Sequence, residues 1–119
     1  MRQFFNSFRN AFAGICRTVA SQRNMKIHLV FATLAIASSF ALRLEALEWA
    51  VICILIGLVL SLECLNTAIE AIVDRYSKEP HPLSRNAKDA AAAAVLIAAI
   101  LSVIVGLIIY INAALRLMG

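Results

Sequence analysis

The sequence predicts an all-α integral membrane protein in which one amphipathic surface helix precedes three transmembrane helices. Hydrophobic residues make up 62% of its 119 residues, a share well above that of soluble globular domains. They are concentrated in three long runs, and about 20 apolar residues in a helix are enough to span a bilayer. The segment before the first run carries apolar and polar residues at helical period. We therefore expect one membrane-embedded domain over residues 1–119.

Residues 2–22 predict the surface helix, because apolar and polar side chains in this segment fall on opposite faces. The apolar face consists of Phe4, Phe5, Phe8, Phe12, Ile15, Cys16 and Val19, and the polar face of Arg2, Asn6, Arg9 and Arg17. A helix with these two faces suits the surface of a membrane. The apolar face could also pack against the rest of the chain, and a helix at the membrane surface could do both.

Three apolar runs predict transmembrane helices at about residues 27–47, 49–74 and 87–113. The first run is short, and its helix spans the membrane only if His28 and Arg43 lie near the interfaces and residues 46–49 continue it. The second run is long enough but contains acidic residues near its end. The third run contains no charged residue over residues 90–111.

Residues 75–86 predict a loop between the second and third membrane helices, because two prolines there interrupt a helix. Ser84 or Asn86 is expected to cap the third membrane helix, since serine and asparagine accept hydrogen bonds from helix N-termini. Asp89 would then lie in the first turn, where a negative charge is favourable.

Basic residues flank the apolar runs and predict the orientation of the chain. Five precede the first run, with no acidic residue among them, and four lie in or beside the predicted loop: Arg2, Arg9, Arg17, Arg23 and Lys26, then Arg75, Lys78, Arg85 and Lys88. The positive-inside rule places the N-terminus and the loop in the cytoplasm, in a multi-pass protein of the cell membrane. Because these charges flank apolar spans, we expect no nucleic-acid partner.

Four polar side chains in the second run form a single stripe. The steps from Glu63 to Asn66, Glu70 and Asp74 are three, four and four residues. At about 100° per residue, the four positions fall within roughly 80° of one another. A carboxylate inside a bilayer costs roughly 2.5 to 3.5 kcal/mol at the centre and less towards the surface, so the stripe needs an explanation.

Two kinds of chemistry would explain the stripe. Oxygen ligands at this spacing suit a hard cation such as Mg²⁺, and a carboxylate in an apolar wall suits a general base. The alternative is a structural carboxylate that is hydrogen-bonded to a neighbouring helix. Lys88 and Asp89 are expected near the same membrane surface, where Lys88 could contact phosphate or extend to the interface as a flanking charge.

The same residues carry a resemblance to a known family. The segments ECLNTAIEAIVDR, HPLSRNAKDAAAAAVLI, QRNMKIHL and SFRNAFAGI resemble those of the prokaryotic diacylglycerol kinases and undecaprenol kinases. The resemblance implies a small membrane kinase with a surface helix and three spans, assembled as a homotrimer. It also implies transfer of the γ-phosphate of ATP, bound with Mg²⁺, to the hydroxyl of a membrane lipid.

The resemblance further implies roles for individual residues. Glu63 would be the base that takes the proton of the lipid hydroxyl, and Glu70 would bind Mg²⁺. The remaining residues would contact the nucleotide: Asn66 and Lys88 at its phosphates, with Asp74, Asp89, Glu79, His81 and Asn10 completing the site. Gln22 stands where the family usually has a glutamate that shares the metal, and its amide oxygen is a weaker Mg²⁺ ligand.

Undecaprenol is favoured over diacylglycerol as the lipid, because QRNMKIHL and the segment after HPL look more like those of undecaprenol kinases. Two other functions stay open from the residues alone. A proton-coupled transporter would use one membrane glutamate to exchange protons for cations. A structural subunit would use the stripe only for assembly and would tolerate the loss of Glu63.

Overall fold

The computed structural model describes all 119 residues and consists of four helices without a strand. In chain order these are α1 (Arg2–Ser21), α2 (Arg23–Ala41), α3 (Ala46–Tyr76) and α4 (Pro82–Met118). By length and composition, α2, α3 and α4 can each cross a membrane. The all-α membrane architecture predicted from the sequence is therefore confirmed.

The apolar face of α1 is not buried against the rest of the chain. The rings of its phenylalanines are 60% exposed or more: Phe4, Phe5, Phe8 and Phe12. The helix is joined to α2 by one extended residue, Gln22, with φ −105° and ψ 119°. The apolar face of α1 is therefore not packed against the rest of the chain and is free to contact a membrane surface.

The turn between α2 and α3 comes earlier than predicted. Arg43 adopts a left-handed conformation with φ 53°, which ends α2. Glu45 then caps α3 in a reciprocal pair of hydrogen bonds with Glu48 and the backbone, and this arrangement begins a new helix. The expectation that residues 46–49 continue the first membrane helix is therefore wrong, because they form the first turn of α3.

The start of α4 also differs from the prediction. Nδ1 of His81 accepts a hydrogen bond from the backbone N–H of Leu83 at 3.1 Å, so His81 is the cap rather than Ser84 or Asn86. Pro82 occupies the first position of the helix, where a missing N–H costs nothing. The loop between α3 and α4 is consequently shorter than the predicted loop over residues 75–86. Asp89 lies beyond the first turn of α4 and not within it.

The helices pack mainly through an antiparallel pair formed by α3 and α4, with α2 against α3. The buried residues of α3 recur every three or four positions: Ile52, Leu55, Val59, Glu63 and Asn66. On α4 the buried residues are mostly small: Ala91, Val95, Ala98, Gly106 and Ala113. Small residues permit the close helix approach that drives packing in lipid.

Few residues are buried within the chain itself. Only 14 of the 119 residues are buried, although most of the chain is apolar, so most apolar side chains lie on the outside. This is the expected pattern for helices whose solvent is lipid.

Two polar contacts connect α4 to the other membrane helices away from the acidic stripe. Nη2 of Arg116 donates to Oε1 of Glu48 at 2.7 Å, which joins the end of α4 to the start of α3. The hydroxyl of Tyr110 donates to the carbonyl of Ala35 on α2 at 2.7 Å and lies 3.1 Å from Oγ of Ser39.

We predict that Tyr110→Phe destabilises the protein by about 0.5–1.5 kcal/mol, the usual net value of one hydrogen bond. The substitution removes the hydroxyl that joins α2 to α4 and leaves the ring in place. Thermal unfolding in detergent micelles measures the change. Ser102→Ala is the matched control, because Oγ of Ser102 bonds only to the carbonyl of Ala98 in its own helix. Equal stability of Tyr110→Phe and wild type would show that this hydroxyl does not hold the helices together.

Candidate active site

The acidic stripe continues the buried face of α3 and becomes more exposed along its length. Glu63 and Asn66 are 1% and 6% exposed. Glu70 is half-buried, and the side chain of Asp74 is 65% exposed. The stripe is therefore a path from the packed helices to the surface, about 16 Å long at 1.5 Å per residue.

The carboxylate of Glu63 has no hydrogen-bond partner within the chain. Both Oε1 and Oε2 are buried and unpartnered. The imidazole of His28 on α2 lies beside it, with Nε2 3.5 Å from Oε2. A buried polar group without a partner is costly. Glu63 is therefore not a structural carboxylate that is hydrogen-bonded to a neighbouring helix of this chain. Its two oxygens remain available to a ligand.

Asn66 and Glu70 lie one helical turn apart and contact each other. Nδ2 of Asn66 donates to Oε1 of Glu70 at 3.5 Å, a long hydrogen bond. Oδ1 of Asn66 is buried and unpartnered. Oxygens of both side chains can therefore accept a donor or a cation beside Glu63.

Lys88 connects α4 to the exposed end of the stripe by an ion pair with Asp74. Asp89 is paired differently, since its carboxylate lies 3.9 Å from Nε of Arg85 on its own helix and both side chains are largely exposed. The structure therefore joins Lys88 to the stripe and leaves Asp89 outside it.

A polar cavity of about 700 Å³ opens beside the end of α3 and the start of α4. Its lining includes Asp74, Lys88, Glu79 and His81, which the sequence analysis assigned to a nucleotide site. Five further polar or cationic side chains line it that were not assigned to the nucleotide: Ser77, Lys78, Ser84, Arg85 and Asn86. Several cations around one open cavity suit a polyphosphate.

An apolar groove of about 420 Å³ lies between α2, α3 and α4, and 13 of its 17 lining residues are hydrophobic. His28 lines this groove as well as contacting Glu63. Glu63 lines neither space itself. It lies on α3 one turn beyond Val59 and Leu60 of the groove, and the stripe runs from it to Asp74 in the lining of the polar cavity. Along α3, the acidic stripe therefore connects a space for an apolar molecule with a space for a polyphosphate.

Besides Asp89, two predicted site residues neither bond to the stripe nor line the polar cavity. Asn10 is exposed on α1, and Gln22 is half-buried between α1 and α2. Sequence reasoning missed His28, which served only as a marker of the membrane interface. The signal that could have found it was an ionisable ring at the edge of an apolar run, one helix away from Glu63.

The protein alone does not form a cage for a metal ion, because no three His, Cys, Asp or Glu side chains cluster. Mg²⁺ commonly binds through one or two carboxylates together with substrate phosphates and water. Glu70, with the unpartnered oxygen of Asn66 beside it, fits that kind of site.

Comparison with known proteins agrees with this arrangement. The sequence model of the family "Prokaryotic diacylglycerol kinase" matches residues 9–110. An undecaprenol kinase of Bacillus subtilis is 44% identical over 110 residues, which are 92% of this chain and 89% of that protein.

Two diacylglycerol kinases are also similar to the chain. The protein of Synechocystis is 46% identical over 84% of this chain, and that of Escherichia coli K12 is 45% identical over 60% of it. Each alignment spans 58% of the relative's own length. The match to the family covers most of the chain, and this protein therefore belongs to the prokaryotic diacylglycerol kinase family.

Proposed function

We propose that this protein is a membrane lipid kinase that transfers the γ-phosphate of ATP to the hydroxyl of a lipid. The observation that carries the proposal is the buried, unpartnered carboxylate of Glu63 between an apolar groove and a basic, polar cavity. At this place a lipid could react while its chain stays in the bilayer, and a nucleotide could bind from the aqueous phase. Family membership supports the same reaction.

In the proposed reaction, Glu63 accepts the proton of the lipid hydroxyl as the oxygen attacks the γ-phosphorus. A bond forms between the lipid oxygen and phosphorus, and the bond from phosphorus to the bridging oxygen of ADP breaks. Phosphoryl transfer depends mainly on positioning and on neutralising charge. The absence of a competing hydrogen bond leaves the carboxylate of Glu63 free to act as a general base.

The remaining stripe and the polar cavity hold the nucleotide. We propose that Asn66 and Lys88 contact its phosphates and that Asp74, Asp89, Glu79, His81 and Asn10 complete the site. Lys88 would exchange its ion pair with Asp74 for a phosphate. Glu70, with a weaker contribution from Gln22, would bind Mg²⁺, which neutralises the charge that develops on the phosphates.

Undecaprenol is the proposed lipid, with diacylglycerol as the alternative outcome of the same experiment. The Bacillus subtilis relative aligned over most of both chains is an undecaprenol kinase. We further propose that the protein is a homotrimer of the cell membrane, with its N-terminus and the turn between α3 and α4 in the cytoplasm. No observation favours the transporter or the structural subunit, and neither explains a basic cavity beside the stripe.

Transfer of label from γ-labelled ATP tests the proposal. Purified protein in mixed micelles is offered undecaprenol and diacylglycerol in parallel, with and without Mg²⁺. We expect Mg²⁺-dependent label in a lipid, with more label in undecaprenol. Folded protein that labels neither lipid would overturn the proposed function.

We predict that Glu63→Gln lowers turnover by about 10²- to 10⁴-fold, the usual contribution of a general base. The amide keeps the size of the side chain but cannot take the proton. Steady-state lipid phosphorylation measures the effect. Glu45→Gln is the matched control, because it removes a carboxylate at the other end of α3, far from the site, and should leave turnover unchanged. Since Glu45 caps α3, thermal unfolding of this variant checks that the helix is intact. Normal turnover in Glu63→Gln would remove Glu63 from the chemistry.

Glu70→Gln should shift the Mg²⁺ dependence of the rate to higher concentration, because an amide oxygen binds a hard cation more weakly than a carboxylate does. The measurement is a Mg²⁺ titration at saturating lipid, with Glu45→Gln again as control. An unchanged titration would place the metal at other residues.

Gln22→Glu should shift the same titration to lower Mg²⁺ concentration, since it supplies a second carboxylate at the position where the family usually has one. The titration is carried out beside that of wild type at fixed ATP. If the two curves coincide, Gln22 lies outside the metal site.

A further inference from the structure

His28 is the one polar side chain of another helix that the structure brings to the Glu63 carboxylate. Its Nε2 lies 3.5 Å from Oε2 of Glu63, and its side chain is 18% exposed. The carboxylate has no hydrogen-bond partner in the chain. The carboxylate is therefore free to interact with the ring, and Oε2 is the oxygen that lies within ion-pair distance of it.

The distance is slightly long for a hydrogen bond. Catalytic hydrogen bonds are often long in a protein without its substrates and shorten in the complex. A small movement of the ring would bring the Nε2 N–H within hydrogen-bond distance of Oε2. The carboxylate would then keep a fixed orientation instead of rotating within an apolar wall.

The location of His28 favours one orientation of the carboxylate. His28 lines the apolar groove together with Phe31 on α2 and Val59 and Leu60 on α3. A lipid chain in this groove would bring its hydroxyl past the histidine to Glu63. With Oε2 held by the ring, Oε1 is the oxygen left to accept the hydroxyl proton.

We propose that His28 is a positioning residue, which donates a hydrogen bond from Nε2 to Oε2 of Glu63 and so directs Oε1 to the lipid hydroxyl. The inference rests on the proposed function, because it assigns His28 a role in that same proton transfer. His28 does not itself exchange a proton with the lipid.

The test compares His28→Leu, which removes the donor, with His28→Gln, whose amide N–H can still donate. Lipid phosphorylation is measured with undecaprenol in mixed micelles, and kcat and the KM for ATP are separated. We expect kcat of His28→Leu to fall by about 10- to 100-fold, the scale of a misplaced catalytic group. The KM for ATP should be unchanged, and His28→Gln should recover most of the activity.

A double-mutant comparison distinguishes positioning from a general structural role. In the Glu63→Gln background there is no carboxylate to orient, so adding His28→Leu should lower the residual rate no further. Equal losses in both backgrounds would overturn the inference, as would wild-type kcat in His28→Leu. Thr33→Val on the same helix is the control, because its hydroxyl bonds only to the carbonyl of Leu29.

Two results separate this inference from the proposed function. If wild type labels lipid and Glu63→Gln does not, while His28→Leu is normal, the proposed function stands and the role of His28 is wrong. If wild type labels no lipid, both are wrong. Should His28→Leu fail to fold in a thermal unfolding assay, His28→Met replaces it, since the flexible methionine side chain also lacks the donor.

Discussion

The burial of one carboxylate, that of Glu63, is the constraint on which the rest of this structure depends. A charged group inside a bilayer costs roughly 2.5 to 3.5 kcal/mol at the centre and less towards the surface. Glu63 lies in register with Ile52, Leu55 and Val59 on the packed face of α3, so helix packing around those residues holds it in place. Because no hydrogen bond within the chain stabilises the carboxylate, its burial makes sense as part of a binding site.

The lengths of the helices explain how one site can serve both water and lipid. With 31 and 37 residues, α3 and α4 are about 46 and 55 Å long at 1.5 Å per residue. The hydrocarbon core of a bilayer is about 30 Å thick, so both helices extend beyond it. The polar cavity lies where α3 ends and α4 begins, and the apolar groove lies between the helices. The acidic stripe is the link between these two environments.

The sequence was sufficient for the fold class and for the stripe, because both depend on periodicity within a single helix. The helix boundaries were less accurate, since they depend on capping: Glu45 and Glu48 form a reciprocal cap, and Pro82 begins α4. The three-residue spacing of those two glutamates is that of a capping box and indicates the first boundary. The sequence shows an ionisable ring at His28, but its contact with Glu63 could not be predicted, because the contact depends on how α2 rotates against α3. The same limit applies to Asn10 and Gln22, whose distance from the stripe is set by the position of α1.

The central claim is that Glu63 acts in the chemical step and not in nucleotide binding or assembly. A single-turnover measurement tests it most directly: enzyme in excess of γ-labelled ATP is mixed rapidly with lipid, and nucleotide affinity is measured in parallel for wild type and Glu63→Gln. We expect label to reach the lipid far more slowly in Glu63→Gln than in wild type, while the affinity for ATP is unchanged. An equal rate of label transfer in the two proteins would contradict it.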